Sequence, residues 1–358
     1  MATPTTIYSR PATTTPTPTC TTAVPGHHGY VPPDACNANW AYSPSFAAAI
    51  AFSILFGILT LSQIALAITY RKVFCWVMIM GCSWELVSFI TRALGSMNQQ
   101  SQPLAFASSL LFLLAPLWIN AYVYMTAGRL IWTFHPERTV MRIKAINMGK
   151  YFVWLDILSF IVQGIGGTML NPGASASTME TGKNIYMTGV GIQELFIILF
   201  TGLIVRFQME VSRLEKAQGL KQAETWRRLA YALYAVLLLI TTRIIFRLVE
   251  FSAGIETSNP LPYHEVYPLV LDAFPMLMAA LILTVIHPGL VLKGPDSEFP
   301  PRKQRKAEKK AKKAEKKALK MHKRRERNGW SHDAYLPVQM SNEQPITSNV
   351  EMGVIPKN

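Results

Sequence analysis

The chain has 358 residues, is 50% hydrophobic and 16% charged, and carries a formal net charge of +14. A soluble domain normally has about 25% charged residues, and here the charge is missing in blocks, which excludes an ordinary soluble fold. The positive surplus resembles that of a nucleic-acid binder until it is located. Fifteen Lys and Arg between 302 and 327, set against Glu308, Glu315 and Glu326, account for twelve of the fourteen net charges, so no nucleic-acid partner is expected.

Residues 1–41 form a Thr/Pro-rich leader with neither a basic nor an apolar signal region, and read as a disordered extracellular segment. If that segment lies outside the cell, Cys20 and Cys36 can form a disulfide; two free thiols are the alternative. Cys75 and Cys82 fall in or beside the second span, no C-x-x-C spacing occurs, and no metal or cofactor is expected. Pro44 then stands where a helix start tolerates proline.

Seven apolar stretches long enough for a bilayer core follow, near 45–70, 73–94, 104–132, 150–170, 184–207, 226–251 and 266–290. They predict an all-α membrane protein, a seven-transmembrane helix bundle over 42–292, followed by a tail over 293–358. Arg71 and Lys72, then Arg138, Arg142, Lys144 and Lys150, then Arg213, Lys216, Lys221, Arg227 and Arg228 occupy alternate loops, and the basic tail follows the last span. The remaining loops and the leader offer only Arg10 and Lys183. Positive charge inside therefore predicts the N-terminus outside and the C-terminus cytoplasmic. The basic segment 302–327 has helical composition and would meet anionic inner-leaflet lipid, or serve as a solvated tail.

Charges within the spans mark the candidate site. Arg243, Arg247 and Glu250 fall at i, i+4 and i+7, on one helix face. Each would cost at least ~2.5–3.5 kcal/mol at membrane depth without a partner or water. Glu85 and Arg92 share a face of the second span, and Asp156 and Gln163 share one of the fourth. Gln193 and Glu194 lie in the fifth and Asp272 in the seventh. With the orientation above, Arg92, Arg243, Arg247, Glu250 and Asp272 lie in the outer half, Glu85 and Glu194 near the midplane, and Asp156 further in. These ten residues read as a polar pocket for substrate. Mutual pairing that clamps the bundle, Arg247 with Glu250 or Asp272 and Arg92 with Glu85, is the plainer reading. Five acids against three arginines leave some acid protonated, hydrated or awaiting a cation. Pro116 and Pro275 should kink their helices. Gly164, Gly166, Gly167, Gly189 and Gly191 permit close helix approach or local unwinding. There is no Walker A motif, no H-E-x-x-H and no G-x-S-x-G, so an enzyme is not expected.

An ordered set of short motifs carries a resemblance. It comprises Tyr42 to Ser45 with Leu55 to Gly57; Glu85 with Arg92; Leu113 to Pro116 with Ala121, Tyr122, Gly128 and Arg129; and Asp156 with Gln163, Gly166 and Gly167. It continues with Gly191 and Gln193; Arg243, Arg247, Glu250 and Gly254; Glu265, Tyr267 and Asp272; and His287 to Gly289. In these the chain resembles the fungal lipid-translocating exporter family, the RTA-like seven-span proteins. Ala49, where Asn is common, and Ser88 with Phe89, where Gly-Tyr is common, depart from that pattern. The resemblance implies movement of amphipathic membrane lipids, such as sphingoid long-chain bases or sterol-like toxic amphiphiles, across the plasma membrane, with resistance to them. On that basis Glu85, Glu194 and Asp272 would meet an ammonium, and the arginines would hold those acids or meet a phosphate. The alternative is a seven-helix sensor that regulates lipid asymmetry without transporting.

Overall fold

The computed structural model describes residues 21–33, 35–170, 175–218, 225–252, 261–292, 294, 298–300 and 302–329. The readings that fall on 1–20, on Gly254 and beyond 329 lie outside the described residues. The chain separates into two compact units, Met1–Phe299 and Pro300–Asn358.

The first unit is a bundle of seven helical spans long and apolar enough to cross a membrane. They begin with α1 (Phe46–Tyr70), α2 (Trp76–Met97), α3 (Gln102–Phe134), α4 (Ala145–Thr168), α5 (Ala176–Gln218) and α6 (Thr225–Ser252). The seventh, Val266–Val291, is composite. It consists of a short α7 (Val266–Pro268), a π-helical turn (Leu269–Ala273), α8 (Phe274–Val285) and a last turn α9 (Pro288–Val291). A two-stranded hairpin, β1 (Thr139–Val140) against β2 (Ile143–Lys144), joins α3 to α4. In the second unit α10 (Arg302–Gly329) is the helix expected from the Ala/Glu/Lys composition.

The ends of these helices follow from local chemistry. Ser45 caps α1, its hydroxyl accepting from the Ala48 N–H at 3.3 Å, and Arg71 in the left-handed region ends it. Pro103 sits in the first turn of α3, where a missing N–H removes no helical bond. α3 continues as helix through Pro116, whereas Pro275 is the second residue after the π turn. The α5 helix runs well past its apolar stretch at both ends. Successive spans are neighbours round the bundle, α8 returns to α1, and α3 also touches α6 and α8.

The burial pattern is that of a protein solvated by lipid. Ile54, Leu61, Ile68, Trp154, Leu158 and Leu238 are exposed, while Gln63, Glu85, Asn120, Asp156 and Asp272 are buried. Apolar side chains on the outside are stable only where the surroundings are apolar. Glycines set the closeness of α4 and α5. A Cβ on Gly166 would collide with the backbone of Tyr186 and Gly182, and one on Gly189 would lie 3.0 Å from the Gln163 N and Ser159 O.

One segment departs from the sequence expectation of a disordered leader through residue 41. Residues 26–33 and 35–44 lie against the end of the bundle where α1 begins and α2 ends. The Gln99 N–H donates to the His28 carbonyl at 2.9 Å, the Gln100 amide to the Gly29 carbonyl at 2.8 Å, and the Gln99 side chain to the Ser43 hydroxyl at 3.1 Å. The Trp40 ring lies so close over Gly95 that a Cβ there would come within 2.7 Å of it. The Thr/Pro composition hid this, because the contacts are made by a few aromatic and amide groups at its C-terminal end. Cys36 is disulfide-bonded and Cys75 and Cys82 are free thiols, while Cys20 lies outside the described residues.

Candidate functional site

The core of the site is a carboxylate held by two guanidiniums. Arg243 and Arg247, one turn apart on α6, both reach Asp272 on the π turn. Arg243 donates through Nε to Oδ1, and an Arg247 terminal nitrogen lies 2.5 Å from Oδ2. Arg247 also pairs with Glu250 at 3.1 Å, its i+3 neighbour. The α6 spacing thus brings both bases and the second acid to one face, as read from the sequence. The π turn widens the facing helix where Asp272 must meet them. Asp272 is fully enclosed, with a side-chain exposure of 1%.

Arg92 stands beside this group but not on the partner expected. It donates to the Tyr42 hydroxyl at 2.9 Å and lies 3.4 Å from Glu265. Glu265 in turn accepts from the Ser45 N–H at 2.7 Å. Two turns of helix, about 10.5 Å, separate Glu85 from Arg92, so both side chains would have to fold toward each other to pair. Glu265, just before the seventh span, arrives from outside the helix instead. Burial pushes the Glu265 carboxyl above the usual range, partly offset by the Ser45 N–H and by Arg92. Burial likewise pushes the Tyr42 phenol up. The Arg92 guanidinium also faces the Trp40, Tyr42 and Phe112 rings at 5.6–5.8 Å, and Arg247 faces Phe112 from 5.7 Å. One ring on α3 therefore separates two like charges.

Glu85 is the exception. It is 0% exposed, and neither carboxyl oxygen has a hydrogen-bond partner among the described residues. It lies within electrostatic reach of Asp272, Arg243, Arg247 and Arg92. Counting Glu265, the cluster brings together four acids and three arginines among the described residues. Glu250, Glu265 and Asp272 take all three arginines in ion pairs, which leaves Glu85 over.

The other sequence candidates form separate stations. Asp156 on α4 accepts from the Tyr124 hydroxyl at 2.9 Å and the Asn120 amide at 3.2 Å, both on α3, while its Oδ1 has no hydrogen-bond partner. The Gln163 amide donates to the Gln193 carbonyl oxygen at 2.9 Å, joining α4 to α5. Glu194 on α5 accepts from the Thr241 hydroxyl on α6 at 3.0 Å. Sequence spacing left Trp40, Phe112, Tyr124, Asn120, Thr241 and Tyr186 out of the set, and Tyr42 and Glu265 entered only through the resemblance. Tyr42, Trp40 and Glu265 come from outside the seven spans, and Phe112, Asn120 and Tyr124, although they share a face of α3, carry no charge to mark them. His287 is structural: Nδ1 accepts from the Gly289 N–H at 3.0 Å and the ring stacks on Tyr70 at 5.1 Å.

The family model of the RTA1 like protein matches residues 78–295. The chain belongs to the RTA1-like family. Among its relatives, the probable lipid transporter atnI of Emericella nidulans is 46% identical over 297 residues, covering 81% of this chain and 77% of that protein. Protoporphyrin uptake protein 1 of Saccharomyces cerevisiae is 31% identical over 208 residues, covering 57% and 65%. The sphingoid long-chain base transporter RSB1 of the same yeast is 24% identical over 301 residues, covering 74% and 78%. No solved structure matches this RTA1-like chain. The matched region contains every residue of the arginine–carboxylate cluster except Tyr42 and Trp40 in the preceding segment. The chain is a multi-pass membrane protein.

Proposed function

We propose that this RTA1-like protein moves amphipathic lipids with a cationic head and a single chain, of which sphingoid long-chain bases are the type, across the plasma membrane, and so confers resistance to them. The observation that carries the reading is the Glu85 carboxyl, enclosed without a hydrogen-bond donor among the described residues, beside a network whose other acids are committed to arginines. An ammonium supplies what it lacks, three N–H donors and a positive charge. Asp272, held between two arginines, is a positioning acid rather than a second ammonium site. The names of relatives as a lipid transporter and a sphingoid base transporter support the same class of cargo.

In this reading the N-terminal segment is extracellular and the basic helix α10 is cytoplasmic, where anionic lipid would attract it by ~1 kcal/mol per basic residue near the surface. The test is translocation of a fluorescent sphingoid base into liposomes containing only this protein. Flux above empty liposomes that is lost in Glu85→Gln is the expected result. Binding of the lipid by folded protein without flux would replace transport with a sensing role.

A further inference from the structure

The seam between α5 and α6 is tied at both ends and polar in the middle. At one end the Tyr186 and Phe251 rings meet at 4.3 Å. At the other, Phe207 meets Trp226 at 5.9 Å, and the Trp226 indole donates to Glu215 at 2.8 Å. Between these ties Glu194 meets Thr241 through one oxygen only, and its Oε2 has no hydrogen-bond partner among the described residues. The Tyr234 hydroxyl, two turns from Thr241 on the same face of α6, is likewise without one.

This polar strip borders the lipid. Leu195 and Ile198 on α5 and Leu238 and Ile245 on α6 are between 50 and 67% exposed. Glu194 lies near the middle of the apolar stretch 184–207, about 15 Å along the helix from its nearer end, which puts it inside the hydrocarbon core rather than among headgroups. Gly191, one turn before it, and Gly202, two turns after it, leave the strip open, since a Cβ at either position meets nothing within 4 Å. Behind it, Glu194 acts electrostatically on the Tyr124 hydroxyl, which is bonded to Asp156. The Asp156 Oδ1 and the Asn120 Oδ1 have no hydrogen-bond partners among the described residues.

From this geometry we infer that the α5–α6 seam is a binding site through which a single-chain amphiphile with a protonated amine is taken directly from the bilayer, Glu194 receiving the ammonium and the chain lying along the strip beside Gly191 and Gly202. The inference rests on the proposed cationic cargo and adds the place where that cargo leaves the lipid. A carboxyl at this depth otherwise has a strong reason to be absent. The unsatisfied oxygens of Glu194, Asp156 and Asn120 make a series of acceptors leading inward. Meanwhile the opposite route, through the end of the bundle, is covered by residues 26–33 and 35–44.

The test uses the full-length protein in phosphatidylcholine vesicles and a long-chain primary amine carrying a photoreactive diazirine, with its N-acetyl derivative as the neutral control. Adducts of the amine should map within two turns of Glu194 on α5 and of Thr241 on α6. Glu194→Gln should reduce them on the order of tenfold, the size of one hydrogen bond to a charged group. Gly191→Leu, which fills the strip without touching a charge, should reduce them as well. Adducts spread over all seven spans, equal labelling by the neutral control, or unchanged labelling in both variants would overturn the seam site. Flux through the protein, measured in parallel, separates the two readings. Lost seam labelling with no wild-type flux sinks translocation but keeps the site, and intact flux with unchanged labelling in both variants does the reverse.

Discussion

At the scale of single residues, the buried cluster separates groups that hold the protein together from one that does not. Asp272→Asn leaves two guanidiniums facing an amide, and breaking a buried pair in this way costs about 3–5 kcal/mol. A marked drop in melting temperature in detergent is the expected result. Glu85→Gln removes an acid with no hydrogen-bond partner among the described residues, so it should keep or raise the melting temperature while stopping flux. A large destabilisation by Glu85→Gln would make that residue part of the scaffold. Glu265 gives a pH dependence whose sign follows from its raised pKa. A carboxyl that binds its proton more tightly in the folded state contributes stability at acid pH, and that contribution is lost as pH rises through the folded pKa. Melting temperature should therefore fall across that window, and Glu265→Gln should remove the fall. The α6 stripe was legible because i, i+4 and i+7 is a property of one helix. The partners of Arg92 were not, since Tyr42 and Glu265 are 50 and 173 positions away.

At the scale of elements, close approach of α4 and α5 rests on particular glycines rather than on the set read from the sequence. Gly166→Leu drives a side chain into the α5 backbone and should cost at least ~1–3 kcal/mol or prevent folding. Gly164→Leu, which meets nothing within 4 Å, should be nearly neutral. Comparing their melting temperatures, or their yields of folded protein, decides between packing glycines and uniformly flexible ones. Spacing could not distinguish the two, because which glycine faces α5 depends on the rotation of α4. The covering segment over residues 26–33 and 35–44 was hidden for a related reason. Trp40, Tyr42 and the amides of Gln99 and Gln100 attach it, and a sparse set of long-range contacts leaves no periodic trace.

At the scale of the whole molecule, the seven spans were legible because the bilayer imposes a length and an apolar composition on any helix that crosses it. Span edges were less so: α5 and α3 continue past their apolar stretches, since water solvates a polar helix end as well as a loop. The division into two units gives a further expectation. Truncation after Phe299 should leave the melting of the membrane unit within about 0.5 kcal/mol of the intact chain and abolish its binding to anionic vesicles. A truncated protein that no longer folds would show that the tail is part of the bundle.

The π turn before Pro275 has one more consequence. A π-helical turn accommodates an extra residue in a single turn, so the chain carries a one-residue insertion relative to a regular α-helix. Deleting Val270 would restore regular winding and turn Val266 to Leu269 by about 100° relative to α8. Glu265 would then swing away from Arg92 while Asp272 stayed with Arg243 and Arg247. That single deletion would uncouple the two halves of the cluster like a gear slipped by one tooth.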